Sequence, residues 1–324
     1  MASRTYGPLL DALRGVRWPA RRAVGAALPG AHRSRQRGTS GEFTEYRLYR
    51  QGDDPRQLDW KLLGRSDRAF VRLTDDRAQL PTWVVVDASA SMAFPEAADA
   101  NDATTDTHSD TGGAVSGRAT KWSVACALAV GLAAVAHASS DPVGLIVVGR
   151  DGPARLSART RRGTVGELAR LLHATVVGGD VPMAPLLASI PPLARVVLIT
   201  DLLGDAEALR RAAAQRAVAG GIVECLHVVA TEELSLPAGA HLARDPDDAT
   251  RRRTMSPRMD REYRARFDAF RAECARQWRA TGAGYAEVRT DASVARVVRQ
   301  VASGQARGDA AAIAAAGAGE TTRR

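Results

Sequence analysis

The run Trp83-Val84-Val85-Val86 ends in Asp87-Ala88-Ser89-Ala90-Ser91, and it limits the folds open to the chain more than any other stretch. Large β-branched and aromatic residues without polar alternation suit a strand covered on both faces, which in an α/β protein is a central parallel strand. Ligands of open α/β sheets bind just beyond the carboxyl ends of such strands, and Asp87 stands at that end. Ser89 and Ser91 follow in a loop of small residues that can aim oxygen atoms at a common point. Oxygen donors without sulfur or imidazole favour a hard cation, Mg²⁺ or Mn²⁺ before Zn²⁺.

The same theme recurs along the chain. Val143–Val148, Val196–Thr200 (followed by Asp201) and Ile222–Val229 read as further buried strands, and Tyr285–Val288 as an edge strand. Between them the helical period returns. Val124, Leu128, Leu132 and Val135 mark one helix, which Asp141-Pro142 stops. Thr164 to Glu167 has capping-box spacing ahead of Leu168, Leu171 and Leu172. A helix through Leu209 and Val218 ends at Gly220-Gly221, and Asp291 is the expected cap of a last helix through Val294, Val297 and Val301. Tyr263, Phe267, Phe270, Cys274 and Trp278 form one stripe on a helix from Asp260 to Thr281, a pattern of core packing rather than a cofactor box. Strands alternating with helices make the expected fold an α/β, doubly wound, mostly parallel sheet over residues 81–302.

Around that domain the texture differs. Residues 1–40 read as a basic flexible arm. Residues 41–80, where Phe70, Arg72 and Thr74 alternate with Val71 and Leu73, read as a small β-rich subdomain. Residues 96–117 and 303–324 are too poor in large apolar side chains to order themselves, and read as a flexible insertion and a disordered tail. Residues 231–258 read as loop.

Composition narrows the function classes. The three cysteines lack a C-x-x-C pair, so neither a disulfide framework nor a sulfur metal site is indicated, and a reducing cytoplasm fits. The apolar runs fall short of a membrane span, and the arginine-rich start lacks the apolar core of a secretory signal. The net charge of +9 comes from 45 basic residues, of which all but Lys61 and Lys121 are arginine. The excess is concentrated in residues 1–40 and 251–279, and without a nucleic-acid motif a solvated arginine surface is the preferred reading over a nucleic-acid partner.

Asp87-Ala88-Ser89-Ala90-Ser91, with Asp201 after a later strand, resembles the metal-ion-dependent adhesion site of von Willebrand factor A domains. Glu42-Phe43, Arg47-x-Tyr49, Gly52-Asp53-Asp54-Pro55-Arg56, Asp59-Trp60 and Arg72 resemble the bacterial family called domain of unknown function fifty-eight, often encoded beside MoxR-type AAA+ ATPases. The resemblance implies a von Willebrand A-like core, a Mg²⁺ site and interaction or chaperone-linked assembly roles rather than catalysis. The sequence departs from that pattern in one place. Where the adhesion site takes a Thr in a Gly-Thr setting, this chain has Gly178-Gly179-Asp180-Val181.

Three functions therefore compete. The first is a protein-interaction module with Mg²⁺ held by Asp87, Ser89, Ser91, Asp201 and Asp180, and a protein partner of the MoxR type. The second is a Mg²⁺-dependent phosphatase with Asp87 as nucleophile; against it, Ser89 stands where a second acid would, and no G-x-S-x-G, H-E-x-x-H or P-loop occurs. The third is a metal-free scaffold whose Asp87 and serines satisfy loop amides. Arg56, Asp59, Trp60 and Arg72 form a candidate partner-binding cluster, with the competing expectation that they hold the β-rich subdomain in place and that Trp60 buries its ring.

Overall fold

The computed structural model describes residues 2–18, 42–50, 58–66, 68–75, 79–95, 119–234, 242–244, 252–254 and 257–304. In chain order these form α1 (Ala2–Ala12), β1 (Glu42–Leu48), α2 (Trp60–Ser66), β2 (Phe70–Asp75), β3 (Thr82–Asp87) and a 3-10 turn at Ala90–Ala93. There follow α3 (Lys121–Ala138), β4 (Val143–Gly149), β5 (Gly152–Arg159), α4 (Thr164–Ala174), α5 (Ala184–Leu187), β6 (Arg195–Thr200), α6 (Ala206–Val218) and β7 (Ile222–Val229). The last elements are α7 (Thr231–Leu234), β8 (Leu242–Arg244), β9 (Arg252–Thr254), α8 (Pro257–Ala280), β10 (Gly284–Arg289) and α9 (Val294–Ser303). The chain divides into two units, residues 24–79 and the remainder.

The larger unit is built on a six-stranded sheet in the order β10-β7-β6-β3-β4-β5. Every pairing is parallel except that of the edge strand β5 with β4. Successive side chains of a strand point to opposite faces, and here both faces are covered. Val84 and Val86 of β3 pack with Leu128 and Leu132 of α3, Leu168 of α4 and Val298 of α9 in one core. Trp83 and Val85 point the other way, into a second core with Leu187 of α5, Leu209 of α6 and Trp278 of α8. The expected doubly wound, mostly parallel sheet is therefore the fold.

Its topology places a site. From β3 the chain moves through α3 to β4 on one side, and later returns to lay β6 on the other side. The direction of winding reverses between β3 and β6, so no crossover covers the crevice between their carboxyl ends.

Several expectations are corrected. Ala2–Ala12 is a helix, and Tyr6, Leu13 and Trp18 are buried in the first core, so residues 2–18 are not a flexible arm. A Cβ on Gly131 of α3 would lie 3.0 Å from Val298 Cγ2 and 3.2 Å from Leu13 Cδ1, so glycine there permits α1 and α9 to approach α3 closely. At 18 residues α3 is long and apolar enough to cross a membrane by length and composition, contrary to the expectation that no run is. It is mostly buried between the sheet, α1, α4 and α9, which explains why it is apolar nearly all round. The capping box at Thr164 does not form. Gly163 occupies the cap position, Thr164 Oγ1 donates to Arg161 O at 2.7 Å, and Glu167 pairs with Arg161 and Arg159. Ser293, not Asp291, precedes α9, while Asp291 pairs with Arg289 at 2.7 Å. Residues 231–258, expected to be loop, contain α7 and the antiparallel pair β8–β9. Part of the helical stripe behaves as core: Cys274 and Trp278 are buried, with Phe270 packed beside them, while Tyr263 and Phe267 stay half-buried outside both cores.

The smaller unit contains an antiparallel pair, β1 with β2, in register from Glu42↔Asp75 to Leu48↔Phe70. The short helix α2, which the β-rich expectation did not include, starts where Asp59 Oδ1 accepts the amides of Lys61 and Leu62, both at 3.0 Å. Trp60 is 67% exposed, so its own unit does not bury the ring as expected. Arg56, residues 19–40, the insertion at 96–117 and the tail beyond Gly304 lie outside the described residues, as does the side chain of Arg72.

Candidate metal site at the strand ends

Asp87 is the last residue of β3, and its carboxylate is held at both oxygens by neutral donors. Oδ1 accepts the Ser89 amide at 2.9 Å and Oδ2 the Thr200 hydroxyl at 2.8 Å. The first bond folds the loop back on the strand, and the 3-10 turn at Ala90–Ala93 then brings Ser91 Oγ to 3.1 Å from Ser89 Oγ. Burial pushes the Asp87 carboxyl above the ordinary aspartate value, and the neighbouring Asp201 charge pushes it the same way, against the lowering by its hydrogen bonds.

Asp180 reaches the same place by a different route. Gly178 and Gly179 have φ values of 139° and 77°, a left-handed turn that a side-chain-bearing residue adopts only with strain. Gly178 donates its amide to Ala88 O at 2.7 Å, which fastens this loop to the Asp87 loop. Asp87, Ser89, Ser91, Asp180 and Thr200 consequently line one crevice, completed by Asp205 and by the apolar Val148, Val181, Met183, Leu202 and Leu209. The crevice lies at the winding reversal.

Asp201 is adjacent to the crevice without lining it. Its Oδ1 accepts the Leu203 amide at 3.2 Å and its Oδ2 takes the ammonium of Lys121 at 2.7 Å. Lys121 Nζ also donates to Glu233 Oε1 at 2.9 Å, and Glu233 Oε2 accepts the Ala230 amide at 2.7 Å. Burial works against the ammonium, yet Asp201 and Glu233 together hold its pKa above the ordinary lysine value. Next to this group Leu202 is buried at φ 57°, a left-handed conformation that costs a non-glycine residue about 1–2 kcal/mol. Its amide donates to Thr200 Oγ1 at 3.1 Å, so the strained turn is tied to the residue that orients Asp87.

The residues fit a hard cation in donor chemistry: three carboxylates, of Asp87, Asp180 and Asp205, and three hydroxyls around one opening, and neutral donors on Asp87. Among the described residues no cluster of three or more His, Cys, Asp or Glu forms a metal site, so the hydroxyls of Ser89, Ser91 and Thr200 are essential to any such role. Sequence reading missed Thr200, Lys121 and Glu233. For Thr200 the signal was its place as the last strand residue before Asp201; for Lys121 it was the rarity of lysine in an arginine-rich chain. Glu233 had no local signal.

Residues 45–107 match the family model described as Protein of unknown function DUF58. The proteins named "Uncharacterized protein Rv1480" of Mycobacterium tuberculosis and "Uncharacterized protein Mb1516" of Mycobacterium bovis are each 28% identical over 308 residues, covering 91% of this chain and 89% of theirs. Among solved structures, BatB from Bacteroides thetaiotaomicron aligns at a TM-score of 0.41 and 16% identity, over 70% of this chain and 99% of that one. An aerotolerance-related membrane protein from Bacteroides fragilis aligns at 0.39 and 15%, over 70% and 98%, and the SpRpn10 VWA domain at 0.35 and 10%, over 68% and 93%. The chain is thus similar to the DUF58 family from residue 45 to residue 107, a span that includes both the Arg47 to Arg72 motifs and the Asp87 to Ser91 loop that ends β3 of an α/β sheet.

Proposed function

We propose that the chain is a non-catalytic protein-interaction module whose crevice binds Mg²⁺, with Mn²⁺ as a substitute. Asp87, Ser89, Ser91 and Asp180 would hold the ion, Thr200 would keep Asp87 oriented, and Asp201 would add charge from behind. When bound, the ion supplies a Lewis-acidic position for an oxygen atom of a partner. The observation that carries this reading is the convergence of six oxygen-bearing side chains on one crevice from three separate segments, around a half-buried carboxylate whose hydrogen-bond partners are neutral. By the resemblance stated above, the partner proposed is a MoxR-type AAA+ ATPase, with Arg56, Asp59, Trp60 and Arg72 as further candidate contacts; the exposed ring of Trp60 suits that use.

The phosphatase reading has less support, since among the described residues that line the crevice there is no histidine or lysine that could exchange protons near neutral pH. The metal-free scaffold is favoured by one specific observation: Asp87 Oδ1 already satisfies the Ser89 amide. Calorimetry separates these readings. Asp87→Ala should abolish Mg²⁺ and Mn²⁺ binding while the chain stays folded, because it removes a charged ligand at a strand end rather than core volume. Asp180→Thr should weaken Mg²⁺ binding but improve acetate binding to the metal-loaded protein, because one repelling carboxylate is gone. Unchanged metal affinity in folded Asp87→Ala would remove the site. Hydrolysis of a generic phosphoester, lost in the same variant, would favour the enzyme.

A further inference from the structure

Lys121 is 1% exposed, and a buried lysine is retained only where its charge is compensated. Its compensation is unusual in kind. The ammonium meets two carboxylates, Asp201 Oδ2 at 2.7 Å and Glu233 Oε1 at 2.9 Å, and lies 5.9 Å from the centre of the Phe94 ring. Both acids are anchored from the far side by backbone amides, those of Leu203 and Ala230. Asp201 is therefore clamped between a lysine and its own chain. It touches the Asp87 side of the fold electrostatically but contributes no wall to the crevice.

We infer that Lys121 is a positioning and specificity-determining residue for the crevice: its ammonium holds Asp201 out of the ligand shell and, as a fixed positive charge behind the site, sets how strongly the crevice attracts a divalent cation. The inference rests on the proposed metal-binding reading and extends it to a residue that is not a ligand. Two carboxylates share this one ammonium, so its effect on the crevice depends on how much of its charge each acid cancels. Removing the lysine exposes the full charge of Asp201 and Glu233 to the crevice. Removing Glu233 leaves Lys121 to Asp201 alone, which makes the surroundings less negative. The two changes break the same cluster yet push cation affinity in opposite directions, which a purely structural cluster would not do.

The test uses the full chain with Mg²⁺ and Mn²⁺ by calorimetry, for wild type and for Lys121→Met, Lys121→Arg and Glu233→Gln. Lys121→Met should bind the metals more tightly, on the order of tenfold, as one charge acts on a divalent ion across a partly screened crevice. Glu233→Gln should bind them several-fold more weakly. Lys121→Arg, which keeps the charge, should stay close to wild type. If Lys121→Met does not fold, the signs for Glu233→Gln and Lys121→Arg still decide. Wild-type binding with no change in the variants, or with Lys121→Met and Glu233→Gln shifted in the same direction, overturns the inference and leaves the proposed function standing. Wild type that takes up neither metal, with uptake restored in Lys121→Met, overturns the proposed function and supports the inference, the charge of Lys121 then being what keeps a divalent cation out of the crevice. Binding by neither chain overturns both.

Discussion

Strand β6 carries a buried ionic group at each end, and the two ends differ in charge balance. At its start, Arg195 Nη1 meets Asp141 Oδ2 at 3.2 Å and Thr82 Oγ1 at 3.2 Å, and the Trp18 ring lies 4.2 Å from the guanidinium carbon. The guanidinium is paired with Asp141 there, and an aromatic ring from the N-terminal segment covers them. Past its other end, Asp201 and Glu233 share Lys121, and Asp87, which feels the charge of Asp201, adds a further carboxylate that lines an open crevice. A buried ion pair under a cover is a structural device. Surplus acid beside an opening is a place where an added cation lowers the free energy, which is the physical content of the proposed function.

The sharpest way to break this comparison is at the closed end. Arg195→Met leaves Asp141 buried without its base and should cost about 3–5 kcal/mol by chemical denaturation. Mg²⁺ should not restore that loss, because the proposed cation site is at the other end of the sheet. Loss of well under 1 kcal/mol would show that the closed pair is as tolerant as a surface one.

The next effect lies in the layer of the open end. His227, aligned with Thr200 across β6 and β7, is buried with Nδ1 2.7 Å from the Tyr285 hydroxyl, and burial lowers its pKa to about 4. Between its unfolded value near 6.5 and about 4, the unfolded chain binds the proton that the folded chain refuses. Stability from this group is therefore complete above about pH 6.5 and is lost as pH falls, by up to about 3 kcal/mol near pH 4. His227→Gln should flatten that part of the stability profile, measured by denaturant midpoints from pH 7 downward. An unchanged slope would assign the acid sensitivity to other groups.

The smallest expected effect is in the other unit. Trp60→Ala should change stability by less than about 0.5 kcal/mol, since most of the ring is in solvent. It should instead reduce capture of the partner. A loss of several kcal/mol in thermal or denaturant unfolding would return Trp60 to the anchoring role that its size first suggested.

The strands could be read in the sequence because apolar runs of β-branched residues have few other uses. β3, β4, β6 and β7 stand where those runs stand, and Asp87 and Asp201 follow from being the polar residues at which two runs stop. β5 was not read, because its inward positions include Ala154 and Ala158, too small to make the alternation visible. The helix α1 was hidden by the arginines and glycines around it, although Tyr6, Leu9 and Leu13 have the spacing of one helical face.

The sequence by itself determined that an acid and two hydroxyls end a central strand, because strand period and loop size are local properties. Only the tertiary structure decided what surrounds them. Asp180 enters the crevice through a glycine turn fastened to Ala88 O, some ninety residues away in sequence. Lys121 meets acids 80 and 112 residues away. Trp18 covers Arg195 because α1 packs on α3. Charge compensation in a low-dielectric interior acts through distance in space, so which carboxylate is neutralised and which is left facing the crevice is set only when the sheet is assembled.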